Sequence, residues 1–549
     1  MQGLIGPLKE LAEFEELCKN KKKDVGMIRV CGCVNSQKSH MMYALGDGCK
    51  YKVIACSSET KAKQIYEEYR FLDSNTYLYP AKDFLFYQAD IRSKELVKQR
   101  MEGIQAVLSG EPVTVVTSLD GFMDHLAPKE SIAEKVLKVQ NDSVLKLDEM
   151  AEKLSVIGYD REVQVEGPGQ FAVRGGILDI YPLTEELPVR IELWGDEVDS
   201  IRSFDAESQR SIENLEEITI YPATEVVLDK ETIRQGIKAI EKEAQKSQKK
   251  FRDEMKTEEG ARVRQIAAEL KDQLEEMEHI AGAESFVRYF YKKTESLLEY
   301  LPENTLVVID EPNRLTEHAK TTEEEFRESM IHRLEKGYLL PGQMEVIRNH
   351  QEVVHRFHQM HTLSLSTMEP RGNAWNFTME MQLTVKSVNP YNNSFEMLVK
   401  DLLRWKKSGY RMLLLSPSRT RAARLAKDLQ DQELSAFYSE DPEELIQPGQ
   451  IKVTWGRVSR GFEYPMVKYV VISETDIFGK EKKKKRKKSQ YSGKQIQSFS
   501  ELSVGDFVVH ENHGLGVYRG IEKMEVDGVV KDYIKIEYAG KSNLYILAT

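Results

Sequence analysis

The stretch MIRVCGCVNSQKSHMMYAL, residues 27–45, joins an apolar run to a helix-like run through a short polar loop. Its apolar start predicts a buried strand, and HMMYAL predicts the body of a helix. The same order recurs further along, where the strand-like KVIACS (52–57) precedes the helix-like TKAKQIYEEYRFL (60–72) and PVTVVTSLDG (112–121) follows. Strands that alternate with helices through short loops predict a parallel sheet covered by helices.

The polar loop GCVNSQKS, residues 32–39, nearly matches the phosphate-binding pattern G-x-x-x-x-G-K-[ST]. Gly32, Lys38 and Ser39 are in place, but Gln37 stands where the pattern has its second glycine. In a working loop, backbone N–H groups surround the phosphates, the lysine neutralises them and the hydroxyl binds magnesium. A Cβ and a long amide at Gln37 would crowd that space. The motif is compatible with an ATP site, a degenerate remnant or a chance match, and its strand–loop–helix context favours the remnant.

A second segment, LVVIDEP (306–312), ends an apolar strand in Asp310 and Glu311. Nucleotide-driven motors hold magnesium and orient water at such a position, although a solvated acidic strand end is the alternative. A motor also needs a second domain with an arginine finger, and the sequence has no Q-x-x-G-R-x-G-R-type segment. We therefore predict a degenerate nucleotide loop, no catalytic residue and no cofactor for this chain.

Composition narrows the remaining classes of function. The formal net charge of -11 argues against a surface that coats nucleic acid non-specifically. No apolar run approaches the ~20 residues of a membrane span, and the N-terminal segment lacks the apolar core of a signal peptide, which predicts a cytoplasmic protein without membrane contact. The cysteines all lie within the first 56 residues, with Cys31 and Cys33 as the closest pair. Because no second pair follows at zinc spacing, we predict buried small residues and no metal site.

The pattern along the 549 residues predicts a multidomain α/β chain. It should contain a degenerate RecA/P-loop-like parallel sheet with an inserted antiparallel β module, a second small α/β domain and a C-terminal small β barrel of the SH3/Tudor-like type. The predicted units are 1–128, first part of the α/β domain; 129–222, inserted module; 223–384, second part with long charged helices; 385–478, small α/β domain; 479–498, basic linker; 499–549, barrel domain.

Two predicted surfaces could bind partners. In the inserted module, Arg190 and Trp194 are four residues apart on a strand and Arg174 lies on another, so the three could form a protein-binding face or be ordinary surface residues. In the barrel, Ile521, Met524 and Val526 lie on one strand, either exposed for a partner or filling the core. The basic linker could be a solvated tether or an electrostatic contact with nucleic acid.

Two long segments resemble a known family. GPGQFAVRGGILDIYPL (167–183) and the following ELPVRIELWGDEVDSIRSFDAESQRS (186–211) are similar to the module shared by the excision-repair protein UvrB and the bacterial transcription-repair coupling factors (Mfd). VGDFVVHENHGLGVYRGIEKMEVDGVVKDYIKIEYAG (504–540) is similar to the RNA-polymerase-interaction domain of the coupling factors, a CarD-type barrel that UvrB lacks. The order of the predicted domains also agrees with that family.

The resemblance implies specific partners and residues. Arg174, Arg190 and Trp194 would contact UvrA. Ile521, Met524 and Val526 would contact the RNA polymerase β subunit. The family's N-terminal phosphate loop is degenerate, and members continue beyond the barrel into a translocase that uses ATP, magnesium and DNA. The expected function is an adaptor that links RNA polymerase to UvrA in excision repair, with weak or no DNA binding. The alternative is an ATP-dependent DNA translocase, an activity expected of the longer family members. The chain ends within the expected barrel, which would leave that barrel truncated.

Overall fold

The computed structural model describes residues 2–21, 26–82, 94–275, 283–368, 375–479, 504–510, 514–526, 529–538 and 543–547. Its first sheet has seven strands, all parallel to their neighbours. The predicted strand 27–31 is the second from one edge, and most strands are buried on both faces, as expected for a parallel sheet between helices. In spatial order the strands are Phe377–Gln382, Met27–Cys31, His361–Leu365, Leu306–Asp310, Tyr51–Cys56, Val113–Ser118 and Thr76–Leu78.

Helices connect and cover the strands of the first sheet. The helix Asn35–Gly46 begins inside the segment 32–39, so that Gln37, Lys38 and Ser39 belong to its first turns. Ser58 caps the next helix by accepting from the Lys61 N–H. Cys31 and Cys33 are both buried, as predicted. The main helices of this unit are Ala12–Lys21, Asn35–Gly46, Glu59–Leu72, Lys94–Leu108, Pro312–Glu335 and His350–His358.

The inserted module is a six-stranded sheet that is antiparallel except for one short parallel pair. One face packs on the first sheet's core through side chains such as Phe171, Leu178 and Ile191. The helix Leu147–Val156 packs beside the sheet, and a separate ribbon pairs Leu137–Gln140 with Glu217–Ile220. In spatial order the strands are Ser211–Leu215, Glu197–Phe204, Val189–Trp194, Ile177–Tyr181, Gln170–Arg174 and Asp160–Arg161.

Two long helices, Lys230–Asp253 and Thr257–Glu275, follow the inserted module and pack against each other. The segment has a separate small core around Ile240, Val263 and Phe290. Its shorter helices are Ala283–Phe286, Val287–Phe290, Leu297–Tyr300 and Pro341–Glu345, the first and last of them 3-10 turns.

The second α/β unit has a six-stranded mixed sheet with four parallel strands and an antiparallel edge. Phe395–Lys407 and Arg419–Gln430 are its longer helices. Side chains such as Leu415, Phe462 and Tyr469 join one apolar core with Val30 and Leu45 of the first unit. The strands in order are Lys386–Ser387, Phe462–Tyr464, Tyr469–Ser473, Arg411–Ser416, Ile451–Trp455 and Ala436–Tyr438.

The C-terminal unit is a four-stranded antiparallel sheet of Phe507–His510, Gly514–Val526, Val529–Glu537 and Asn543–Leu547, in that order. Its small core contains Val508, Tyr518, Ile534 and Ile536. The predicted closed barrel is not confirmed, because the first and last strands do not pair within the described residues. Residues 480–503, which include almost all of the predicted linker, lie outside the described part. None of the described helices is long and apolar enough to cross a membrane.

Candidate binding face and the closed phosphate loop

Two backbone N–H groups at the start of the loop 32–39 are hydrogen-bonded within the protein. The Cys33 N–H donates to the Ser366 carbonyl at 3.1 Å. The Val34 N–H donates to Oε1 of Gln37, also at 3.1 Å. Gly32 has φ +80°, and a Cβ there would come within 2.1 Å of the Leu383 carbonyl oxygen. The Cys33 and Val34 N–H groups therefore have internal partners, and the backbone of Leu383 lies against Gly32.

Lys38 is held by the two predicted acidic residues. Its Nζ donates to Asp310 Oδ1 at 2.7 Å and to Glu311 Oε1 at 2.6 Å, and the lysine side chain is only 5% exposed. Burial alone would lower the pKa of Lys38, but the two carboxylates outweigh it and raise that pKa. Glu311 has a left-handed backbone, φ 56°, and also accepts from the N–H and hydroxyl of Thr367. Lys38 thus has two internal carboxylate partners in place of a phosphate.

Gln37 has a defined structural role. While its Oε1 caps Val34, its Nε2 donates to the hydroxyl of Tyr464 at 3.0 Å, and the side chain is fully buried. The same hydroxyl lies 3.2 Å from Nδ1 of His40, whose Nε2 is 3.0 Å from the Leu4 carbonyl. Burial lowers the pKa of His40 to about 4, partly offset by the hydrogen bond with Leu4. Because Tyr464 belongs to the second α/β unit, the hydrogen bond from Gln37 connects the loop to that unit.

Glu68 adds further hydrogen bonds between the loop and the second α/β unit. Its carboxylate accepts from Ser36 Oγ at 3.1 Å and from Ser39 Oγ at 2.8 Å. It also accepts from the Ser459 N–H at 3.2 Å, across the boundary between the units. The Ser39 hydroxyl, which would bind magnesium in a working loop, is thus directed to a carboxylate. The residues present do not fit ATP with magnesium.

The inserted sheet presents a very different surface. Its inner face is apolar, and its outer face carries Arg174, Asp179, Arg190, Glu192 and Trp194. Asp179 is paired across the strands with Arg190 on one side and with Ala172 on the other. Cross-strand partners and residues two apart share a face. The predicted sharing of one face by Arg190 and Trp194 is therefore confirmed, with Arg174 beside them.

Asp179 joins the two arginines on this outer face. Its Oδ2 accepts from Arg174 Nη2 at 2.5 Å, and its Oδ1 and Oδ2 accept from Arg190 Nε and Nη2 at 2.7 and 2.9 Å. The bond with Asp179 is the main cause that raises the pKa of Arg190. Arg190 also stacks over Phe204, 4.6 Å from the ring centroid, and donates to Gln209 at 3.0 Å. Arg190 is thereby held in one orientation.

Trp194 ends its strand and is 86% exposed. An exposed indole that shares a sheet face with two fixed arginines is typical of a protein-binding anchor. Glu192, on the same face, forms an ion pair with Arg202. The outer face therefore combines fixed positive charge with an exposed aromatic ring.

On the C-terminal sheet, Ile521, Met524 and Val526 lie on the strand Gly514–Val526. Ile521 is 51% exposed and is paired with Ile534 of the next strand. Ile521 is therefore exposed and does not fill the small core, while its contact with a partner stays a prediction. The side chains of Met524 and Val526 lie outside the described part, so their predicted contacts stay predictions.

Two family models match the chain. The UvrB interaction domain matches residues 137–226, and the CarD-like/TRCF RID domain matches residues 502–548. The transcription-repair-coupling factor of Bacillus subtilis is 30% identical over 98% of this chain and 46% of its own length. That of Staphylococcus haemolyticus is 30% identical, and that of Staphylococcus epidermidis is 29% identical, each over 86% of the chain and 40% of the relative. The chain is homologous to the transcription-repair coupling factors. It spans less than half the length of these relatives.

The homology to coupling factors agrees with the location of the predicted sites. Arg174, Arg190 and Trp194 lie inside the UvrB-interaction match, and Ile521 lies inside the CarD-like match. The sequence analysis did not predict a role for Asp179. The segment ILDIY (177–181) could have indicated one, because it places a single acid at an outward position of an alternating strand. Glu68 and Tyr464 were missed without any such signal, since their partners are far away in sequence.

Proposed function

We propose that this chain is an adaptor of transcription-coupled excision repair. It binds UvrA through the outer face of the inserted sheet and the RNA polymerase β subunit through the C-terminal sheet. The observation that carries the proposal is the outer face itself, in which Asp179 fixes two arginines on the same face as the exposed Trp194, inside the region similar to the UvrB interaction domain. The proposed adaptor acts in the cytoplasm.

The UvrA contact is supported by chemistry as well as by similarity. A fixed guanidinium suits a carboxylate on a partner, because its planar fork offers paired donors. A large exposed ring suits an apolar pocket and loses little conformational entropy on binding. Arg174, with a side chain 43% exposed, and Trp194 supply these two features on the same face of the sheet.

The test is a pull-down of purified UvrA with the chain and with the double variant Arg190→Ala, Trp194→Ala. Loss of UvrA from the double variant is expected. The matched control is Trp455→Ala with Arg457→Ala, which removes an exposed tryptophan and an exposed arginine from the second α/β unit, outside the UvrB-interaction match. Unchanged binding by the first double variant would refute the assignment of this face.

The polymerase contact is supported by the exposure of Ile521 and by the CarD-like match. We propose that Met524 and Val526 extend this contact along the same strand, and that the C-terminal sheet belongs to an SH3/Tudor-like barrel. Replacing Ile521 by Glu should abolish retention on immobilised polymerase β subunit while leaving UvrA binding intact. Equal retention of this variant and the unaltered chain would argue against the assigned strand.

The proposed adaptor needs no cofactor of its own. Lys38, Gln37 and Ser39 are all engaged by side chains of the protein, which does not favour the alternative of an ATP-driven translocase for this chain. We expect no DNA-stimulated ATP hydrolysis and weak or no DNA binding. Phosphate release that rises with added DNA would support the translocase instead.

A further inference from the structure

Asp179 has an unusual position for an acidic residue. Its side chain is fully buried in the middle of a strand, and both of its carboxylate oxygens accept hydrogen bonds from arginines. A buried carboxylate is costly unless it is paired and hydrogen-bonded. Asp179 therefore depends on Arg174 and Arg190, and they in turn take their orientation from it.

The two arginines are not equivalent. Arg190 has a side chain only 16% exposed, and its N–H groups are directed to Asp179 and Gln209 over the ring of Phe204. Arg174 has a side chain 43% exposed and donates through Nη2 to Asp179. Arg190 thus lies inside the network, while Arg174 lies at its surface next to solvent.

We propose that Asp179 is a positioning residue of the UvrA-binding face. It holds two like-charged guanidinium groups side by side, so that Arg174 faces a carboxylate of the partner while Trp194 enters an apolar pocket. Arg190 acts mainly through Asp179 and Phe204 and sets the position of Arg174. This inference rests on the proposed function, since it concerns the same surface.

The direction in which one substitution changes the affinity for UvrA separates positioning from simple charge attraction. Asp179→Asn removes a negative charge and makes the face more positive. If the face acted by charge alone, an acidic partner would bind this variant more tightly. If Asp179 positions the arginines, their mutual repulsion and the loss of strong acceptors spread them apart, and binding weakens.

The experiment measures the affinity of the whole chain for purified UvrA by titration calorimetry. Asp179→Asn should weaken binding by about tenfold or more, the range of an interface hot spot. Glu213→Gln is the charge-matched control, because it removes one negative charge from an exposed position on the edge strand Ser211–Leu215 of the same sheet, away from Arg174 and Arg190. This control should bind as tightly as the unaltered chain or more tightly.

A second variant keeps the result interpretable if Asp179→Asn disturbs folding. Arg190→Lys retains the positive charge but cannot make the forked contact with Asp179. It should also weaken binding about tenfold, and combining it with Asp179→Asn should add little further loss.

The possible failures are distinguishable. An unaltered chain that does not bind UvrA would overturn the proposed function and the inference with it. Binding by the unaltered chain, together with equal or tighter binding by Asp179→Asn or unchanged binding by Arg190→Lys, would overturn the positioning role alone.

Discussion

The loop 32–39 and the outer face of the inserted sheet both contain positive side chains held by carboxylates, but they differ in what remains available. In the loop, Lys38 is 5% exposed between two acids, and Gln37 is fully buried against Tyr464. On the outer face, the acid Asp179 is buried while Arg174 and Trp194 reach solvent. A polar network satisfied on every side adds stability and rigidity. One that leaves donors and a ring exposed can also bind a partner.

The largest expected effect is on the closed loop. Lys38→Met leaves Asp310 buried without its cation, and this should lower the free energy of unfolding by about 3–5 kcal/mol in urea denaturation. UvrA affinity should not change. Lys63→Met, at an exposed helical position, is the matched control and should stay within about 0.5 kcal/mol. A Lys38→Met variant as stable as the unaltered chain would contradict the contrast between the two regions.

The pH dependence of stability tests the burial of His40. Its pKa is lowered to about 4 in the folded chain from 6.5, so the unfolded state binds more protons between these values. The stabilisation that depends on neutral His40 is therefore fully present above pH 6.5. It is lost as the pH falls toward 4, which lowers the free energy of unfolding by at most about 3 kcal/mol. The difference in unfolding free energy between the unaltered chain and His40→Gln isolates this term. A difference independent of pH from 4 to 7 would contradict it.

Trp194→Ala should weaken UvrA binding by about 2 kcal/mol, a typical anchor value. Because the ring is 86% exposed, the unfolding free energy should change by less than about 0.5 kcal/mol. Affinity and stability should thus separate here, in the opposite sense to Lys38→Met. Surface plasmon resonance measures the affinity and urea denaturation measures the free energy of unfolding. An equal loss in both quantities would contradict the distinction between the two regions.

Gln37→Gly should have the smallest effect. It restores the glycine of the phosphate-binding pattern but removes the bonds with Val34 and Tyr464, which should cost about 1–2 kcal/mol of stability. It should not produce ATP hydrolysis, because Lys38 and Ser39 remain bound to carboxylates. Malachite-green detection of phosphate, with and without DNA, is the measurement. Turnover by this variant would refute the view that the loop is now structural.

Much of the architecture follows from local pattern. The alternation of strands and helices predicts the parallel first sheet, and the period of two in QFAVR and VRIELW predicts which side chains share a face. Closure of a barrel cannot be predicted from local pattern in the same way, because it depends on pairing between the first and last strands. The domain boundaries and the roles of the site residues stay predictions.

The sequence by itself determined the order of the units, the degenerate spacing of the loop 32–39 and the shared face of Arg190 and Trp194, since all of these depend on neighbouring residues and on strand and helix periods. Only the tertiary structure decided that Gln37 binds Tyr464, that Ser39 binds Glu68 and that Asp179 lies beneath two arginines. The first contact spans 427 positions, and no local period encodes such a separation. Burial then makes each contact necessary, because a polar group removed from water needs a partner wherever the chain can supply one.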